Sequence, residues 1–192
     1  MRFSMCSLLA VVVMAWTGCA DQPGPAPAAN SAAAAGATNA TPGSATPAPT
    51  PTHSTGWNPT NAQPKLPTLK LFVGPEVITA ELALTDPQIR TGMMFRESMA
   101  EQDGMLFVFA RPHRTAFYMK NTKVPLTAAY IDPDGVILEM VELNALNETP
   151  VEAKFDNVQF VLEMNQGWFK RHKILPGTVI GTERGPLRRV FP

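Results

Sequence analysis

The chain has 192 residues, 16 basic and 16 acidic side chains, and a formal net charge of zero. Its 19 prolines and 17% charged residues are averages over unlike segments. Between Ala20 and Pro64 the one charged side chain is Asp21, and nearly all remaining charge follows Lys65. About 128 residues remain for a folded domain, enough for one ordinary core. Within them the charges balance, which excludes the clustered positive excess of a nucleic-acid footprint.

The first segment reads as an export signal, residues 1–18. Arg2 supplies a short positive start, and Phe3 to Ala15 is apolar apart from Ser4 and Ser7. That run is shorter than the ~20 apolar residues of a spanning helix. Trp16-Thr17-Gly18-Cys19 follows. Small residues before a Cys resemble a bacterial lipoprotein signal cleaved ahead of Cys19, although Trp16 stands where a Leu-like residue is usual. The resemblance implies lipidation of Cys19 and a membrane contact through that lipid. An ordinary secretory signal with an incidental Cys is the alternative. Ala20, rather than Asp, after Cys19 points to the outer membrane, with the protein facing the periplasm. The only other cysteine, Cys6, falls within the signal. The domain therefore has no thiol for a disulfide, a metal or nucleophilic catalysis.

Residues 19–64 hold the lipidated Cys and a linker rich in Ala, Pro, Thr and Ser. It has too little apolar surface to offset chain ordering, so disorder is expected. Its reach would be roughly 40 Å as coil and roughly 140 Å extended.

The domain, residues 65–192, reads mainly as strand. Leu66–Val73 and Val77–Thr85 alternate apolar and polar residues around Gly74-Pro75, which predicts a hairpin. Thr85-Asp86-Pro87 predicts a helix start, with Ile89, Met93 and Met94 on one apolar face. Further strands are expected at Met105–Phe109, Thr115–Met119, Ala128–Ile131, Val136–Leu143, Val158–Met164 and Thr178–Thr182. Asp132-Pro133-Asp134-Gly135 is a strong turn signal. Gly167–His172 reads as a short helix. Seven or eight short strands with one or two short helices predict an α+β, mainly β domain, a small antiparallel barrel or roll.

The runs Arg90–Arg96, Gly104–Phe109 and Phe117–Thr122, with Tyr130-Ile131-Asp132 and Val161–Met164, resemble the family called domain of unknown function number 192. The resemblance spans Leu71 to Thr182. It implies a compact, mainly β, barrel-like α+β domain, often exported, and implies no activity. Met93 and Tyr118 replace the family's usual Leu and Trp. Thr127 and Thr178 stand where an Asp is common.

Those motifs set charge inside apolar text: Arg90, Arg96, Lys120, Asn121 and Glu163. Arg forks bind carboxylates and phosphates, and Lys and Asn add donors, so a small anionic ligand fits this set. The structural alternative is that Arg96 or Arg90 pairs with Glu163 and pins the helix to the sheet. Binding of such a ligand or of an envelope protein is the leading expectation. A hydrolase acting on an envelope polymer through carboxylates among Asp103, Glu139, Glu142 and Glu163 is the second; no spacing selects a pair. The methionines fall at apolar positions and read as core rather than as copper ligands. His113 and His172 have no ligand spacing, so no metal and no cofactor is expected. Trp168–Lys173 reads as a helix with its aromatics inward and its cations at the end, rather than as a membrane contact.

Overall fold

The computed structural model describes residues 58–192. The expected signal, Cys19 and the linker as far as Trp57 lie outside the described residues. In chain order the elements are β1 (Thr68–Val73), β2 (Glu76–Ala83), α1 (Asp86–Thr91), β3 (Asp103–His113), β4 (Ala116–Phe117) and β5 (Leu126–Ile131). There follow β6 (Ile137–Leu143), β7 (Val151–Glu152), β8 (Val158–Asn165), α2 (Trp168–Arg171), β9 (Ile180–Thr182), β10 (Gly185–Pro186) and α3 (Leu187–Val190). Eight strands form one sheet in the order β10–β9–β1–β2–β3–β8–β5–β6, and β4 pairs with β7 alone. The domain is α+β and mainly β.

The β1–β2 hairpin follows its sequence alternation: Leu69, Leu71 and Val73 are buried, while Thr68, Lys70 and Phe72 are exposed. Thr85 then caps α1, and Gln88 Oε1 accepts the N–H groups of Leu84 and Thr85 at 2.9 and 3.1 Å. Gln88 thus satisfies donors that the helix start leaves open.

Two expectations are corrected. The sheet is mixed, not antiparallel, because β3 pairs parallel with β2. The connection between them, residues 84–102, contains α1 and crosses over instead of turning back, the route a parallel pair requires. Nor is the sheet a closed barrel. One isolated bridge, Val136 to Val179, reaches between its two ends. β9 and β10 hold three and two residues, too few to complete a ladder with the seven of β6.

Both sheet faces carry a core. On one, Leu71, Ile78, Leu106, Leu162 and Ile180 pack with Trp168 of α2 and Leu187 of α3. On the other, Met105, Phe107, Ala128, Tyr130 and Val161 pack beneath Met93 and Met119. Each of these two layers buries apolar area that drives folding at ~25 cal/mol per Å². Register places Glu81, Met105, Glu163 and Ala128 side by side on this second face, one from each of β2, β3, β8 and β5. Gly104, next to Met105, sits where an added Cβ would meet the Glu163 carbonyl oxygen at 2.9 Å. Only glycine lets β3 and β8 approach this closely.

Candidate functional site

A cavity of about 690 Å³ opens above Glu163. α1 and the segment after it contribute one wall through Ile89 to Met94, and β3 contributes Phe107 and Phe109. The stretch from Thr115 to Thr122 contributes the opposite lip. That lip is held by its backbone: Met119 N–H donates to Asn147 O at 2.7 Å, and Leu146 N–H to Thr122 O at 3.0 Å. Asn121 takes a left-handed conformation, φ 54°, tolerated better by Asn than by most residues, and its carbonyl accepts the Phe95 N–H at 2.7 Å. Asn58 and Pro59 complete the wall. Gln63, in the stretch read as linker, holds this entry segment to the domain by donating to Gly92 O at 2.9 Å and Gln88 O at 3.2 Å.

Four of the five residues singled out from sequence meet here: Arg90, Lys120, Asn121 and Glu163. Arg90 is exposed on α1, Lys120 and Asn121 are half-buried in a turn, and Glu163 is 4% exposed in β8. Glu163 Oε2 is sealed from solvent with no hydrogen-bond partner. Burial pushes its carboxyl from the ordinary 4.5 up to about 8. At neutral pH the group is therefore mainly a neutral acid, able to donate a hydrogen bond.

Arg96 goes elsewhere. Its guanidinium grips Glu81 with both arms, Nη1 to Oε1 at 2.6 Å and Nη2 to Oε2 at 2.8 Å. This corrects the expected pairing of an arginine with Glu163 as far as Arg96 is concerned. The pair borders a second, smaller cavity of about 310 Å³ with Lys65, Asp103 and Gly104. Burial raises the Glu81 carboxyl, but the Arg96 and Leu66 N–H hydrogen bonds and the charges of Arg96 and Lys65 together hold it below the ordinary range. Met93 lies on the walls of both cavities.

The other acids offered for hydrolysis do not join Glu163. Among the described residues that line the large cavity, Glu163 is the one carboxylate. Glu139 accepts the Lys154 N–H at 2.5 Å, and Glu142 accepts the Thr127 hydroxyl at 3.0 Å. The same Thr127 hydroxyl accepts the Gly167 N–H at 2.8 Å, just ahead of α2. Neither Thr127 nor Thr178 lines the cavity. Trp168 and Phe169 are buried, as the helix reading of that stretch expects. Sequence reasoning missed Thr91, Tyr118 and Thr122 as lining residues; Tyr118 and Thr122 flank Lys120 and Asn121 in the recognised motif.

The model of the domain of unknown function 192 family, described as "Uncharacterized ACR", matches residues 70–182. The chain belongs to this family. Among solved structures, a candidate transcription regulator from Sinorhizobium meliloti 1021 is similar to this domain of unknown function 192 protein. It has 32% identity and a TM-score of 0.54, over 60% of this chain and 92% of that one. A protein of unknown function from Novosphingobium aromaticivorans DSM 12444 is similar at 30% identity and a TM-score of 0.57, over 60% and 85%. No curated protein matches the chain. Most of the large cavity of this family member falls inside the matched region, with only Asn58 and Pro59 outside it.

Proposed function

We propose that this protein is a non-catalytic binding domain for a small anionic ligand, exported and held at the cell envelope by lipid on Cys19. The observation that carries the reading is the buried Glu163 carboxyl, whose Oε2 has no hydrogen-bond partner, in the wall of a cavity that also bears Lys120 and Asn121. An orphaned polar group at such a depth costs free energy unless a ligand meets it. With Glu163 neutral, the charged side chains left on the lining are cationic, which favours an anion. Met93, Met94, Phe107 and Met119 supply apolar walls, so the ligand has an apolar body as well as its charge.

Hydrolysis through paired carboxylates has no such support, because it needs a second carboxylate about 5–9 Å from the first. The transcription role named for the Sinorhizobium protein is not carried over, since fifteen basic and fifteen acidic residues balance from Lys65 onward.

The test is a thermal-shift and calorimetric screen of the purified protein with octanoate, 1-octanol, octylammonium, sugar phosphates and inorganic phosphate. A ligand at 100 times its dissociation constant adds about 2.7 kcal/mol of stability. Binding of anions that Lys120→Ala weakens and octylammonium does not share supports the reading. Binding by neutral or cationic probes alone, or anion binding unaffected by Lys120→Ala and Glu163→Gln, sinks it.

A further inference from the structure

The second face of the sheet is covered over β3, β8 and β5, where Met93, Met119, Val124 and Ala153 lie on it. Over β9, β1 and β2 it carries a cluster of exposed apolar residues. Phe72 and Val77 are direct cross-strand partners there, 43% and 52% exposed. Phe72 also pairs with Gly181, and an added Cβ at Gly181 would sit 3.8 Å from the Phe72 ring. Val179, two residues earlier and so on the same face, is 60% exposed. Leu175, 67% exposed, opens the turn that runs to Thr178. The residues around this turn reach the β1–β2 turn, since a Cβ at Gly74 would touch Ile174 and Thr178. Phe72, Val77, Leu175 and Val179 thus all lie near the β1–β2 turn. Exposed apolar side chains grouped in this way mark an interaction surface.

Exposed Lys70 shares the face of Phe72, and exposed Lys173 adjoins Ile174. Of the nearby acids, Glu76 is engaged by His172 at 3.1 Å, and Glu183 remains exposed. Apolar side chains flanked by lysines match the chemistry of an anionic phospholipid surface. The large cavity lies towards the other end of β2, where α1 follows Ala83, about 20 Å from Val77 at ~3.3 Å per residue. The 38 residues from Ala20 to Trp57 would span roughly 35 Å as coil and about 120 Å extended. Either length lets a lipid at Cys19 and this end of the domain meet one leaflet.

We propose that the apolar end formed by Phe72, Val77, Leu175 and Val179 rests in the interfacial layer of a phospholipid leaflet, with Lys70 and Lys173 on anionic headgroups. The large cavity then faces away from the membrane. A surface contact of this kind adds to an acyl anchor and sets orientation, which a lipid anchor alone does not.

The experiment uses the full chain on phosphatidylethanolamine/phosphatidylglycerol vesicles, added to the vesicles directly or carried there by its own lipid. An environment-sensitive dye is placed at Leu175→Cys or, separately, at Val179→Cys. A comparison dye goes at Glu148→Cys, in the loop that holds the cavity lip, and the parent chain is the labelling blank. Nitroxide-bearing lipids are expected to quench the dye at 175 and 179 several-fold more than at 148. Phe72→Glu should remove most of that difference. Equal quenching at both ends, or none at 175 and 179, overturns the proposal. So does a blue shift at 175 that grows with protein concentration without vesicles, which would assign the surface to a second copy of the chain.

Discussion

Glu81 and Glu163 stand in one row of the sheet with Met105 between them, and only Glu81 is held by Arg96. The two carboxyls are two strands apart, roughly 10 Å at the ordinary strand spacing. They shift in opposite directions. The arginine fork holds Glu81 in its charged form, whereas burial drives Glu163 towards its acid form. The same row therefore contains a structural ion pair and a poised hydrogen-bond donor, each beside its own cavity.

The Glu163 proton ties stability to pH. The carboxyl binds its proton more tightly folded, at about 8, than unfolded, near 4.5. Native protein thus holds a proton that unfolded chain has lost, and stability falls as pH rises from about 4.5 to about 8. Glu163→Gln should remove this slope and be more stable at pH 8 by on the order of 3 kcal/mol. Denaturant unfolding at a series of pH values measures it; parallel curves for the two proteins would show that Glu163 is charged in the fold.

Arg96→Ala should cost about 3 kcal/mol, because it strands a partly buried Glu81. Glu81→Ala should cost a similar amount and also remove the acceptor for the Leu66 N–H at 2.8 Å. The double substitution should cost less than the sum of the two, by about 1–2 kcal/mol. Simple additivity in urea unfolding would mean that the pair contributes no coupling.

Gly104→Ala should destabilise the domain by about 2–3 kcal/mol. The Met164 sulfur, 2.6 Å from the added carbon, can swing aside, but the Glu163 carbonyl oxygen belongs to the β8 backbone. Thermal unfolding of the variant tests this, and an unchanged midpoint would show that β3 and β8 separate freely.

Tyr130→Phe should cost about 1–2 kcal/mol. The phenol is fully buried and donates to Val151 O at 2.8 Å, tying β5 to the β4–β7 pair. Without it that carbonyl loses its donor. Faster hydrogen exchange confined to residues near Val151 would accompany the loss; an unchanged exchange pattern would argue that water replaces the bond.

Much of the fold was legible because its signals are local. The β1–β2 alternation, the Thr85–Pro87 helix start and the Asp132–Gly135 turn all appear as read, the last with Gly135 at φ 86° and Asp132 Oδ1 accepting the Val136 N–H at 2.9 Å. β7, β10 and α3 were missed because elements of two to four residues carry too few side chains to show a period. Four of the five candidate residues were brought together by motifs that lie far apart in the chain.

From sequence alone come the family resemblance, the mainly β class, the thiol-free domain, the balanced charge and the chemistry available to the candidate set. Each depends on composition, local period or motif order. The parallel β2–β3 pair, the open sheet and the choice of Glu81 over Glu163 as the partner of Arg96 were decided only in three dimensions. They follow from strand order and register, which join residues tens of positions apart. No local pattern states which strand will lie beside which, so none could say which carboxyl Arg96 would hold.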